Sequence, residues 1–170
     1  MNTGQSLLSI GALFLLTLTV LRVNNSILVT DSIMQESKFG ILATSLATSL
    51  IEKASKKAFD AKTYGDAVSN LSELTSPSGL GPGSGESAPD SCNDFDDFNG
   101  YVDSVTNLPS AVFYLKSEVC YVNPGNPDGK LNTQSWHKKM TVTVTSSNLN
   151  NRNERDTLRL STIYSYWYFR

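Results

Sequence analysis

Apolar residues run almost unbroken from Gln5 to Leu21, and no charge occurs before Arg22. The stretch is 17 residues long, near the lower limit for a helix that spans a bilayer. Ser9, Thr17 and Thr19 interrupt it, but on a helix their hydroxyls can bond back to carbonyls of the preceding turn and so tolerate lipid. Three readings compete. A cleaved secretory signal wants a basic leader and a small-residue cleavage site; the leader has no Lys or Arg, and Val20-Leu21-Arg22-Val23-Asn24-Asn25 is a poor site. A buried core helix is the plainer alternative, weakened because the residues are apolar on all sides and sit at the extreme terminus of a small chain. A retained membrane anchor, or an assembly helix that first passes through the membrane, fits the pattern best.

Residues 22–62 read as a continuation of the same helix, free of proline. Val20, Ile27, Met34 and Ile41 recur every seven residues. Ile41, Leu42, Leu46, Leu50, Ile51, Ala54 and Ala58 then make a broader stripe at steps of three and four. The polar side carries Asp31, Gln35, Glu36, Lys38, Glu52, Lys53, Lys56 and Lys57. A helix continuous from Gln5 to Lys62 would be roughly 85 Å long at 1.5 Å per residue, too long for a globule of 170 residues. It needs a membrane for one half and a partner surface for the other. A membrane-tethered coiled coil or helical hairpin is the plainer alternative.

Residues 63–91 form a connection. A weak helical turn or two is expected over Asp66–Asn70, Leu71 and Leu74, and the Ser-, Gly- and Pro-rich run from Ser76 to Pro89 is a loop. Residues 92–170 read as a β-sheet. Ala111, Phe113, Leu115, Val119 and Tyr121 are apolar at two-residue steps, broken only by Ser117. Trp136 to Ser146 and Thr157 to Phe169 alternate in the same way. Asn107–Ser110 and Asn148–Arg155 read as turns, and Asp128-Gly129 is a hairpin signal. Tyr164, Tyr166 and Tyr168 make the last strand aromatic. They suit a strand edge buried in its own fold, packing between subunits, or a ligand platform. The fold class is α+β: a long N-terminal helix with a small antiparallel sheet packed on its C-terminal half.

Just before the first strand, Tyr101–Val105, lies Asp90-Ser91-Cys92-Asn93-Asp94-Phe95-Asp96-Asp97-Phe98-Asn99-Gly100. Phe95 and Phe98, three apart, can anchor one side of a turn while the acids face water. Asp94, Asp96, Asp97 and Asn99 could instead offer oxygen ligands to Ca²⁺, although the spacing is not that of an EF-hand loop. General acid–base chemistry is not indicated, because no nucleophile or base is placed with the carboxylates.

Only 18% of residues are charged and the formal net charge is −2, which argues against a phosphate-binding surface and so against nucleic acid. Two cysteines, Cys92 and Cys120, follow the membrane segment. They suggest one disulfide in an oxidising compartment, worth roughly 3–4 kcal/mol for a loop of about 28 residues; two reduced, buried thiols are the alternative. Zinc would have only these and the single His137, without paired spacing. No Gly-rich phosphate loop or nucleophile elbow is present, so no enzymatic activity is expected.

A glycine directly before an uncharged, nearly unbroken apolar helix, here Gly4 before Gln5–Leu21, resembles the N terminus of type IV pilin and type II secretion pseudopilin precursors. The acidic run ending Asp96-Asp97-Phe98-Asn99-Gly100-Tyr101 is similar to a segment that precedes the first head strand in pilin-like envelope proteins. The resemblance implies a short leader, residues 1–4, cut by a prepilin peptidase between Gly4 and Gln5, with methylation of the new terminus. It implies an assembly helix, residues 5–21, held in the membrane and later packed in a filament core, and a stem helix over 22–62. The implied partners are other pilin-like subunits, the peptidase and an inner-membrane assembly platform. The head would lie in the periplasm or outside the cell, in a surface filament after assembly. Ser9 departs from the family pattern, which has Glu as the fifth mature residue, and points to a minor or divergent subunit. Val20, Ile27, Met34 and Ile41 are the expected assembly stripe. The competing function is a single-span envelope protein whose head binds a partner or ligand and forms no filament.

Overall fold

A helix, α1, runs over Thr3–Ser55 in a computed structural model of the chain that describes residues 2–86, 90–108, 111–146 and 156–167. Five strands follow: β1 (Val102–Val105), β2 (Phe113–Asn123), β3 (Asn126–Lys130), β4 (His137–Ser146) and β5 (Asp156–Ser165). The chain forms two units, Met1–Lys38 and Phe39–Arg170, with α1 contributing to both.

In the first unit the chain is helix alone. Four of its serines and threonines are accommodated because their hydroxyls donate to the carbonyl four residues back: Ser9 to Gln5 at 3.0 Å, Thr17 to Leu13 at 2.8 Å, Thr19 to Leu15 at 2.8 Å and Thr30 to Ser26 at 2.9 Å. No hydroxyl among these four is therefore left to seek water.

In the second unit the strands form one antiparallel sheet in the order β1-β2-β4-β5, with β3 pairing to the other end of β2. Alternation decides its inner face. Phe113, Leu115 and Val119 of β2 and Met140, Val142 and Val144 of β4 are buried, and they pack with Phe39, Ala43, Ala47, Leu50 and Ala54 of α1. Three of these five helix residues are alanines, so the helix lies close to the sheet. Of the expected stripe, Leu50 and Ala54 lie in the contact and Leu42, Leu46 and Ile51 flank it, while Ile41 is 71% exposed and the alanines Ala43 and Ala47 take the central places.

Ser117, which interrupts the apolar alternation of β2, is buried like its neighbours. Its hydroxyl donates to the Phe98 carbonyl at 2.6 Å, and its backbone exchanges bonds with Tyr101 and Gly100. Gly100 has φ +78°, a conformation that favours glycine. The acidic turn is thereby fastened to the central strand of the sheet.

Several expected boundaries move. The helix stops at Ser55 rather than near Lys62. Ala58 pairs instead with the acidic segment, its N–H donating to the Asn93 carbonyl and its carbonyl accepting from Phe95. Asp60 then caps a single 3-10 turn, Ala61–Thr63, in a reciprocal arrangement with Thr63. The β2–β3 hairpin turns at Pro124-Gly125, where the Asn123 side chain accepts from Gly125 N–H at 2.9 Å; Asp128 and Gly129 belong to β3. The last strand ends at Ser165, and Tyr168 and Phe169 lie outside the described residues, as do Ser87–Pro89, Pro109–Ser110, the whole Asn148–Arg155 turn and Met1 of the leader.

Tyr164, on the inner face of β5, and Tyr166, just beyond its end, pack within their own fold. They pack with Phe59, at ring centroid distances of 5.9 and 5.5 Å, and Tyr166 stacks on Trp136 at 5.5 Å. Together with Val68, Leu74 and Tyr121 they form a second apolar cluster.

Candidate functional site

Two features stand out, one on each unit. On the first, the large apolar side chains from Leu7 to Met34 are between 43% and 77% exposed. Leu13, Phe14, Leu15 and Leu16 occupy four successive helix positions at about 100° steps, so the apolar surface goes all the way round rather than forming one stripe. Among the described residues α1 is the one helix long and apolar enough to cross a membrane. Gly4 and Gln5 lie in its first turn, with Gln5 N–H donating to the Asn2 carbonyl at 2.9 Å. Val20, Ile27 and Met34 are 59%, 61% and 64% exposed. Ser9 stands where the resemblance would place Glu, and its hydroxyl is held on the Gln5 carbonyl.

The second feature is a buried ionic network in the Phe39–Arg170 unit. The expectation that the acids face water holds for Asp90, which is exposed, and is overturned for Asp94, Asp96 and Asp97, which are 2%, 2% and 4% exposed. The Phe95 and Phe98 rings go into the core as expected, but the 3-10 turn Asp96–Phe98 takes the acids in with them. Asp94 Oδ1 accepts from the N–H groups of Asp96 (2.9 Å) and Asp97 (3.2 Å), and Asp97 Oδ2 accepts from those of Asn93 (2.8 Å) and Asp94 (3.1 Å). Asn99 bridges the Leu80 carbonyl and the Val119 N–H, both at 2.9 Å. One side-chain oxygen of each of the four residues considered for calcium is thus engaged within the protein. Among the described residues no group of three or more His, Cys, Asp or Glu side chains is arranged to hold a metal.

The partner of these acids is Lys138, on the inner face of β4 and fully buried. Its Nζ donates to the Phe59 carbonyl at 2.7 Å, to Asp60 Oδ2 at 2.8 Å and to Asp96 Oδ1. All three ammonium hydrogens are used. The Phe59 and Tyr121 rings cover it, with centroids 4.5 and 5.3 Å away, near enough for cation–π attraction. Asp60 is equally enclosed, accepting also from Thr75 N–H and hydroxyl, Lys62 N–H and Tyr121 hydroxyl.

Charge balance separates these acids. Burial pushes Asp60 up, but the hydrogen bond and charge of Lys138, with the Lys62 and Thr75 bonds, outweigh it and hold Asp60 below the usual carboxylate range. For Asp94 the pull of Lys138 is outweighed: burial, the charge and hydrogen bond of Asp96 and the charge of Asp97 raise it to about 8. Burial also raises Asp96, against the pull of Lys138. In the ion-paired form, then, the folded unit holds a proton near Asp94 that the unfolded chain releases above its ordinary value of 3.8. A raised carboxyl contributes stability that is complete below 3.8 and lost as pH rises through about 8. The denaturation midpoint is expected to fall between pH 5 and pH 8 by at most about 1.4 kcal/mol per pH unit, and Asp94→Asn is expected to flatten that slope. An unchanged slope in the variant would contradict the assignment. Asp60 acts oppositely, its contribution being lost only as pH falls below the ordinary carboxylate range.

The expected disulfide is absent: Cys92 and Cys120 are not joined to each other. Cys92 is in the core, whereas Cys120 alternates with the buried Val119 and Tyr121 and pairs across the ladder with Lys139 on the outer face. The sheet separates them. Burial raises both thiols above their ordinary range. Denatured without reductant, the protein is expected to take up thiol reagent at both cysteines; uptake only after reduction would restore the disulfide. His137, at the start of β4, meets the Ser165 hydroxyl at 2.7 Å and joins neither feature.

No family model, curated protein or solved structure matches this chain. The Lys138 network was missed in the sequence because its members lie at 60, 94–97 and 138. One signal was available: Lys138 shares the parity of Met140, Val142 and Val144, and so belongs to the buried face.

Proposed function

We propose that this chain is inserted in a membrane through Gln5–Leu21 and serves as a structural subunit of a type IV pilus-like or secretion pseudopilus filament. The observation that carries the reading is the helix surface between Leu7 and Leu21, uncharged, apolar on all sides and uncovered. Such a surface is unstable in water and stable in lipid or among similar helices. Moving from lipid to a helical filament core changes little hydrophobic burial, so packing and subunit complementarity set the preference for assembly. The exposed residues Val20, Ile27, Met34 and Ile41 supply a repeating contact stripe along one side. Ser9 offers no carboxylate to the terminal amine of a neighbouring subunit, which favours a minor or divergent role.

Shearing and fractionation of the native envelope test this. A filament subunit is recovered partly in sheared surface material, together with other apolar-helix subunits. Recovery only in detergent-soluble membranes, under conditions that release filaments, would instead favour a single-span protein with a partner-binding head.

A further inference from the structure

We propose that Lys138 and Asp96 join covalently, forming an intramolecular amide bond between Nζ and the side-chain carbonyl carbon. The two groups are already in contact, on β4 and on the Asp96–Phe98 turn, and the Lys138 side chain has no exposure to water. A second carboxyl, Asp94, shares a side-chain hydrogen bond with Asp96, and a third, Asp60, holds the amine at 2.8 Å. Asp94 is the natural proton donor, because burial and its acidic neighbours keep it protonated at neutral pH.

The step balances within these four side chains. The Asp94 proton passes to Asp96, and one ammonium proton of Lys138 passes to Asp60. The free amine attacks Cγ of Asp96, forming the N–C bond. The second amine proton goes to Asp94, and the hydroxyl of Asp96 departs as water with the proton from Asp60. Asp94 is again protonated and Asp60 again ionised. An ammonium and a carboxylate have become a neutral amide and one water, with nothing oxidised or reduced.

Two physical terms favour the product. Fixed reactants in contact carry a large effective concentration, and replacing a buried ion pair by a neutral group removes the penalty of holding two charges out of water. The remaining lysine–carboxylate pairs lack both the enclosure and the second acid. Lys130 and Glu118 are more than half exposed at 59% and 53%, and Asp128, bound by Lys139, is 92% exposed. These are expected to stay ionic.

Mass spectrometry of the full-length protein, purified in detergent and digested, tests the bond without interference from N-terminal processing. The expected result is a branched peptide linking the Asp96 and Lys138 segments, lighter than the sum of its parts by one water. Lys138→Arg and Asp94→Ala are expected to return both segments at their sequence mass. Separate, unmodified segments from the folded wild-type protein would overturn the proposal. A water deficit confined to the Asp128-Gly129 peptide, or a branch to Asp60, would overturn it equally.

Discussion

Arginine at both Leu13 and Leu16 is expected to move the protein from the membrane to the soluble fraction. The two side chains are 63% and 60% exposed and lie three apart, on one helix face. Each arginine near the centre of a spanning helix costs about 2.5–3.5 kcal/mol on insertion scales, so the pair adds about 5–7 kcal/mol to a segment already close to the minimum spanning length. The core of the second unit takes its helix contacts from Phe39 onward, and its fold is expected to survive, as circular dichroism would show. Alanine at the same two positions keeps the segment uncharged and is expected to leave the protein in the membrane. Full retention of the double-arginine protein would mean that this helix is not what holds the chain there.

Lys138→Met is expected to destabilise the Phe39–Arg170 unit by about 3–5 kcal/mol, read from the denaturant midpoint. Methionine can occupy much of the lysine's volume but strands the Phe59 carbonyl and the Asp60 and Asp96 carboxylates, which Lys138 alone joins. Loss of the proposed amide adds to this, since that bond closes a 42-residue separation in the unfolded chain. Adding Asp96→Leu to Lys138→Met is expected to recover part of the loss, because removing both partners leaves fewer buried charges unmet. Strictly additive losses in the double variant would show that the two residues do not act together.

The elements were legible where one physical signal dominated. An uncharged run names its helix, and two-residue alternation names β2 and β4 together with their buried faces. The helix contact was legible in part: Leu50 and Ala54 belong to it as expected, and Ala43 and Ala47 were missed. Ala43 and Ala47 weigh little on any apolar scale, yet they lie at its centre because small residues allow close approach. The end of α1 was not legible, since Ala58 leaves the helix to pair with a segment more than thirty residues on. The acidic turn was misread for a related reason. Four aspartates in a short stretch look solvated until the one lysine that enters the core among them is known, and Lys138 sits between two residues, His137 and Lys139, that make it look like part of a polar edge. Ser117 shows the same limit: an interruption of the pattern in sequence, it is the fastening between β2 and the turn in space.

The N-terminal mass of the protein recovered from its native envelope tests the filament reading most directly. A mature chain that begins at Gln5, carrying a methyl group on its amine, is the predicted result. A chain that retains Met1 to Gly4, or one that begins beyond Leu21, would contradict it: the first would leave a plain membrane anchor, and the second would make the apolar helix a discarded secretion signal.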